Sequence, residues 1–199
     1  MRRADFLFLM VWFLCSGAGL LADDNGRSLI GTKPPELRNV TWLTGGSHRL
    51  SDFQGKVVLI RWWTAAGCPF CTASAAALNS FAEELPATDL VIMALYHHKS
   101  SAPLTEDYVR DQARRLGFRF LVGIDNGWVN LNRWWLDTGD RMWTSVTFLL
   151  DREGVIRYIH PGGVYTPEPT EIFPKAYDDY QVLRSSITKI LQAGRDSPE

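Results

Sequence analysis

Cysteine is scarce in this chain, with three in 199 residues. A disulfide-stapled scaffold, which needs several pairs at regular spacings, is therefore excluded. An excess of charge of either sign is also missing. With 21 Lys and Arg against 22 Asp and Glu the formal net charge is −1, so nothing draws the chain generally to nucleic acid or to an anionic membrane surface. Internal repeats and low-complexity tracts are absent, which leaves out solenoids and collagen-like or disordered chains. What is present, 46% hydrophobic residues with 8 Trp and 16 Gly, fits one ordinary globular domain. At this length such a domain buries about 70% of the surface of its unfolded chain and needs no metal or disulfide staple.

The long apolar stretch lies at the N-terminus. Arg2 and Arg3 precede the run from Phe6 to Cys15, and small residues lead to Leu20, Leu21 and Ala22 before a polar stretch. A charged start, a short apolar segment and an alanine before polar sequence are the parts of a secretory signal, read here as residues 1–22 with cleavage near Ala22. The alternative is an uncleaved membrane anchor, since Phe6 to Leu21 is only slightly short of the roughly 18 apolar residues that a span needs. Cys15 follows the bulky Trp12, Phe13 and Leu14, which argues against lipidation there. The expected location is outside the cytoplasm, in the periplasm if the cell is Gram-negative, with any membrane attachment made through this segment alone. Its removal leaves Cys68 and Cys71 as the remaining thiols.

Residues 23–35, polar and Pro-rich, read as a linker, 36–193 as the folded domain and 194–199 as a frayed tail. Val40 and Trp42 alternate as in a short strand, and Thr44-Gly45-Gly46-Ser47 predicts a turn that sends it back as an N-terminal hairpin. Val57 to Trp63 and Leu90 to Tyr96 are nearly continuous apolar runs, the pattern of strands buried on both faces. Helices are predicted through Ala77, Leu78, Phe81 and Leu85, over Leu104 to Leu116, over Trp128 to Leu136, and from about Glu171 or Lys175 to Ala193. Further strands are predicted over Phe118 to Ile124, Thr144 to Leu150 and Val155 to Ile159, the last two joined by a turn at Asp151-Arg152-Glu153-Gly154. Strands that alternate with helices and end in a hairpin predict an α/β fold, a central mixed sheet covered on both faces.

In that layout Cys68-Pro69-Phe70-Cys71 falls at a strand-to-helix junction, where such folds place their chemistry. A thiol attacks as its thiolate, and a helix N-terminus favours the anion. Pro69 suits the first helical position because it has no N–H to leave unpaired, which makes Cys68 the N-cap. Cys71, one turn on, can attack a mixed disulfide at Cys68. A zinc site needs two further ligands, and His48, His97, His98 and His160 show no ligand spacing relative to the cysteines. A purely structural bridge over two residues would constrain the unfolded chain very little.

The segments LSDFQGKVVLIRWW, CPFC, LVIMALY and TSVTFLLDREGVIRYIHPGG together resemble the thioredoxin-like superfamily and, within it, the exported TlpA-type redoxins related to peroxiredoxins. The resemblance covers roughly residues 36–165 and implies a three-layer α/β/α sandwich and a thiol–disulfide oxidoreductase, with Cys68 as nucleophile and Cys71 as resolving thiol. It also places Gly67, Pro69, Phe70 and Trp63 around the active-site loop. Two departures stand out. Gly67 occupies the place of the family's Trp before the first cysteine, and Ser145, after Thr144, occupies the place of its cis-proline. A non-proline cis bond costs about 2.5–4 kcal/mol, so a trans Thr144–Ser145 bond is expected, with the Ser145 hydroxyl either on a thiolate or satisfying its own loop.

Where relatives carry a buried acid, the core strand offers Arg61, either as a positive charge near the thiols or as the partner of a carboxylate such as Asp125 or Asp151. His97, His98 and His160 are candidate proton shuttles or loop ligands. Trp128, Trp134, Trp135 and Trp143, with Arg133 and Arg141, would line a partner groove or pack the core. The expected activity is reduction of protein disulfides through a redox-active Cys68–Cys71 disulfide, without organic cofactor or metal, recharged by an upstream thiol donor. The alternatives are a thiol peroxidase, for which Thr64 stands four rather than three positions before Cys68, and a redox-inert binding module on the same fold.

Overall fold

A computed structural model describes residues 25–64 and 68–193, and of Cys71 the backbone alone. The segment read as a signal or anchor, with Cys15, the loop residue Gly67 and the tail at 194–199 lie outside the described residues. Within the stretch read as a linker, Gly31 N–H donates to the Ile156 carbonyl at 2.8 Å and Ile156 N–H to the Thr32 carbonyl at 2.9 Å. Among the described residues no helix is long and apolar enough to cross a membrane.

Six strands form one sheet: β1 (Val40–Trp42), β2 (Val57–Trp63), β3 (Leu90–Tyr96), β4 (Leu121–Asp125), β5 (Thr147–Leu150) and β6 (Ile156–His160). Their order is β1-β4-β3-β2-β5-β6. β2, β3 and β4 are parallel neighbours, while β1 on β4, β5 on β2 and β6 on β5 are antiparallel. The parallel steps are carried by α1 (Pro69–Glu84) and α2 (Glu106–Arg115), β4 leads to α3 (Val129–Trp134), and α4 (Ala176–Ala193) closes the chain. All seven residues of β2 are buried, as its run of apolar and aromatic residues, broken only by Arg61, predicts for a strand with a packed layer on each face. Val57 and Leu59 pack with Leu78 and Phe81 of α1 and Leu183 and Ile187 of α4. Trp63 packs with Val109 and Ala113 of α2. Val58, Ile60 and Trp62 face the other way, onto Leu131 and Trp134 of α3.

The N-terminal hairpin does not form. β1 pairs instead with β4, Trp42 opposite Gly123, and residues Leu50–Phe53, which would have supplied a return strand, are wound into a 3-10 turn. Gly123 makes the pairing possible. A Cβ there would stand 2.7 Å from Val40 Cγ1 and 3.1 Å from Trp42 Cε3, so the missing side chain is the space that β1 fills. The predicted helix over 128–136 is broken up for a similar reason of local geometry. Trp128 takes a positive φ of 60°, a conformation costly for a bulky residue, and α3 spans only six residues beyond it.

Candidate functional site

β2 and α1 bring Cys68 to the end of the sheet at which β2 and β3 finish. Cys68 is the N-cap of α1, extended at φ −90° and ψ 98°, and Pro69 takes the first helical position. The Cys68 carbonyl accepts the first helical hydrogen bond, from Thr72 N–H at 3.3 Å, while its side chain makes no cap hydrogen bond. The sulfur is half-buried and packs at the margin of the cluster that contains Trp63, Ala94, Tyr96 and Val109. Trp63 therefore lies beneath Cys68 as buried support, edge-on to Tyr96 at 5.1 Å. Cys71 belongs to the first turn of α1, and its side chain lies outside the described residues.

A cavity of about 210 Å³ opens beside Cys68. Thr64 and Phe70 line it from the two sides of the cysteine, His97 and Lys99 from the end of β3, and Met142 to Ser145 from the loop that enters β5. The sequence pattern did not single out Lys99 or Met142. Met142 is 84% exposed and Trp143 53%, and Trp143 stands edge-on to Phe70 at 5.7 Å, with Phe173 on the other side of Phe70 at 5.8 Å. The turn Pro161-Gly162-Gly163 backs this arrangement. A Cβ on Gly162 would sit 2.3 Å from Trp143 Cβ, so glycine there is what lets the two loops meet.

No peptide bond among the described residues is cis, so Thr144–Ser145 is trans. Ser145 ties its loop to neighbouring elements: its hydroxyl accepts from Gly163 N–H, in the turn after β6, at 3.3 Å and its carbonyl from Arg61 Nη1 of β2 at 2.6 Å. Thr144 is held by His97, whose Nε2 lies 3.0 Å from the threonine hydroxyl. His97 is completely buried and edge-on to Trp128 at 5.2 Å. Burial, reinforced by the nearby Lys99 and Arg61 charges against an opposing backbone hydrogen bond, pushes its pKa down to about 3. The imidazole is thus neutral near pH 7 and works as a fixed hydrogen-bonding group, not as a proton shuttle.

Arg61 has neither of the expected carboxylate partners. Asp125 accepts from Trp62 Nε1 at 2.9 Å, from Asn130 N–H and Nδ2 at 2.9 and 2.8 Å, and from Leu131 N–H at 2.8 Å. Asp151 is taken by Arg157 Nε at 2.5 Å. Arg61, 1% exposed, lies between α1 and the Ser145 loop and is bonded to neutral oxygens. The other candidates serve the scaffold. His98 bridges Tyr96 Oη and the Ala102 carbonyl at 3.1 and 2.7 Å. His160, buried against Tyr165, reaches Asp179 at 3.4 Å and lies away from the Cys68 cavity. Trp134 and Trp135 are core residues, Arg141 stacks on Trp135 at 4.2 Å, and Arg133 Nη1 donates to the Glu36 carbonyl at 3.0 Å. Of that aromatic group only Trp143 presents a largely exposed ring at the cavity mouth.

Cys68 thus stands at a strand-to-helix junction, faced by the loop before an antiparallel strand. The Redoxin family model matches residues 30–175. The chain belongs to the Redoxin family. The Redoxin match takes in β1 to β6 and every residue lining the cavity. A thioredoxin-like protein of Bacillus subtilis, YneN, is 30% identical over 132 residues, 66% of this chain and 71% of that one. Among solved structures, a Chlorobium tepidum chain proposed as the thiol:disulfide interchange protein DsbE superposes with a TM-score of 0.62 at 21% identity, covering 81% of this chain and 97% of its own. A secreted disulfide oxidoreductase of Mycobacterium tuberculosis superposes at 0.55 and 15% identity, covering 75% and 93%. The fold is thioredoxin-like.

Proposed function

We propose that this redoxin is an exported thiol–disulfide oxidoreductase that reduces protein disulfides through Cys68 and Cys71. The observation that carries the reading is the position of Cys68, N-cap of α1 and wall of a cavity whose opposite side is the Thr144–Ser145 loop. The Cys68 thiolate attacks one sulfur of a substrate disulfide and forms a mixed disulfide, while the other substrate sulfur leaves as a thiolate and takes up a proton. The Cys71 thiolate then attacks the Cys68 sulfur and releases the second substrate thiol. Two electrons have passed to the substrate and a Cys68–Cys71 disulfide remains, to be reduced by an upstream thiol donor. Phe70, Met142 and Trp143 give the substrate polypeptide an apolar rim to lie on. Export is supported by the N-terminal segment and by the secreted character of the Mycobacterium tuberculosis relative.

The test is a redox titration of the purified chain in glutathione buffers together with a trap. A reversible Cys68–Cys71 disulfide with a potential near or below that of thioredoxin, about −270 mV, and accumulation of mixed disulfides by Cys71→Ser support the reductase. A strongly oxidising potential turns the reaction round towards disulfide formation. Peroxide consumption without trapped protein would assign the cavity, which Thr64 also lines, to a thiol peroxidase.

A further inference from the structure

Arg61 is a full positive charge in the protein interior with no carboxylate against it among the described residues. Such burial is rare for an arginine without an ionic partner, because removing the charge from water costs several kcal/mol that neutral hydrogen bonds only partly return. Its direct hydrogen-bond partners among the described residues are all neutral oxygens. Nη1 donates to the Ser145 carbonyl at 2.6 Å and Thr147 Oγ1 at 3.1 Å, and Nη2 to Ser74 Oγ at 3.3 Å and the Gly163 carbonyl at 2.9 Å. The Tyr165 ring lies 4.9 Å from the guanidinium carbon, and among the described residues Nε has no hydrogen-bond partner. The titratable groups around it are His97 from β3, His160 from β6 with Asp179 of α4 beyond it, and Tyr165.

Two of those contacts belong to the elements that build the cysteine site. Ser74 stands in α1 three residues after Cys71, so the two occupy neighbouring positions on the helix surface. Ser145 lines the Cys68 cavity. The charge is also felt by His97, which lines the cavity, and by His160, since it helps to lower the pKa of each.

We infer that Arg61 tunes the redox equilibrium of the Cys68–Cys71 pair, favouring the reduced dithiol over the disulfide. The inference rests on the oxidoreductase reading above and adds the residue that sets its poise. The disulfide is uncharged, whereas the reduced pair is an anion whenever one thiol has given up its proton. A fixed cation in a low-dielectric site therefore lowers the free energy of the reduced form alone. Stabilising the reduced form makes a dithiol a weaker reductant. Arg61 thus limits how strongly reducing this redoxin can be, the opposite of what a buried carboxylate at the same place would do.

The test compares Arg61→Met, which removes the charge, with Arg61→Lys, which keeps it. In glutathione buffers the methionine variant is expected to shift the thiol–disulfide equilibrium at least tenfold towards the disulfide, a potential about 30 mV more negative, while the lysine variant stays within threefold of the native chain. Should the methionine variant fail to fold, Arg61→Gln, which keeps donors for the Ser145 and Gly163 carbonyls, carries the same test. In a Cys71→Ser background, alkylation of Cys68 by iodoacetamide is expected to slow at least threefold when the charge is removed. An unchanged equilibrium in the neutral variants, or a lysine variant displaced as far as the neutral ones, overturns the inference. A native chain with no reversible disulfide overturns the oxidoreductase reading instead, and the alkylation rates then decide by themselves whether the Arg61 charge reaches Cys68.

Discussion

His97 Nε2 and the Thr144 hydroxyl stand 3.0 Å apart, and through this bond the end of β3 holds the loop that faces Cys68. The bond is shielded from water on the His97 side, because His97 is completely buried and Trp128 covers its ring edge-on. The loop is thus held by a hydrogen bond between two side chains.

That bond is expected to matter for polypeptide substrates more than for small ones. His97→Leu and Thr144→Val should each raise the KM for a protein disulfide several-fold while leaving the rate with a small aromatic disulfide within twofold. The double variant should be no worse than either single one, since each already removes the same contact. Steady-state kinetics of the four proteins with both substrates check this, and additive losses would show that the two residues act separately.

The neutral state of His97 also couples stability to acidity. Its pKa is about 3 in the folded protein against about 6.5 when unfolded, so the unfolded chain binds more protons between those values and stability falls as pH drops through that window. At pH 5 the loss relative to pH 7.5 is about 2 kcal/mol from this group, and His160, also lowered by burial, adds in the same direction. Urea unfolding at the two pH values should show the loss, and His97→Gln should remove the His97 share of it.

Asp125 holds the start of α3 by accepting from two backbone amides, a Trp indole and an Asn amide. Asp125→Ala strands several buried donors at once and is expected to cost about 3 kcal/mol or more. Chemical denaturation measures it, and a cost under 1 kcal/mol would show that water or rearrangement replaces the carboxylate.

Gly123→Val should detach the edge strand without unfolding the sheet. Its side chain would enter the space held by Val40 and Trp42, both on the short β1, so β1 gives way before the central strands do. Hydrogen exchange is expected to show lost protection at 40–42 with β2 and β3 unchanged.

Much of this could be read along the chain. Val57–Trp63 and Leu90–Tyr96 are strands over the very residues that their apolar runs mark, because a strand buried on both faces selects apolar side chains at nearly every position. Pro69 after Cys68 marked the helix start, since proline is suited to that one helical position and few others. These are local signals, carried by backbone geometry and solvent exclusion. The partner of β1, the fate of Arg61 and the role of His97 depend on residues far along the chain, from Thr144 for His97, 47 positions on, to Gly163 for Arg61, 102 positions on. Val40 and Trp42 settle on β4 because Gly123 leaves them room. Arg61 meets neither Asp125 nor Asp151: Asp125 bonds Trp62, the next residue of β2, whose side chain faces the opposite side of the sheet, and Asp151 follows Leu150, which pairs with Val58 towards the other end of β2. His97 is fixed neutral because the folded chain excludes water from it. Fold class and the place of the dithiol were thus determined by the sequence through local propensity and patterning. The electrostatic setting of that dithiol was decided only when the tertiary structure brought distant polar groups into one dry interior.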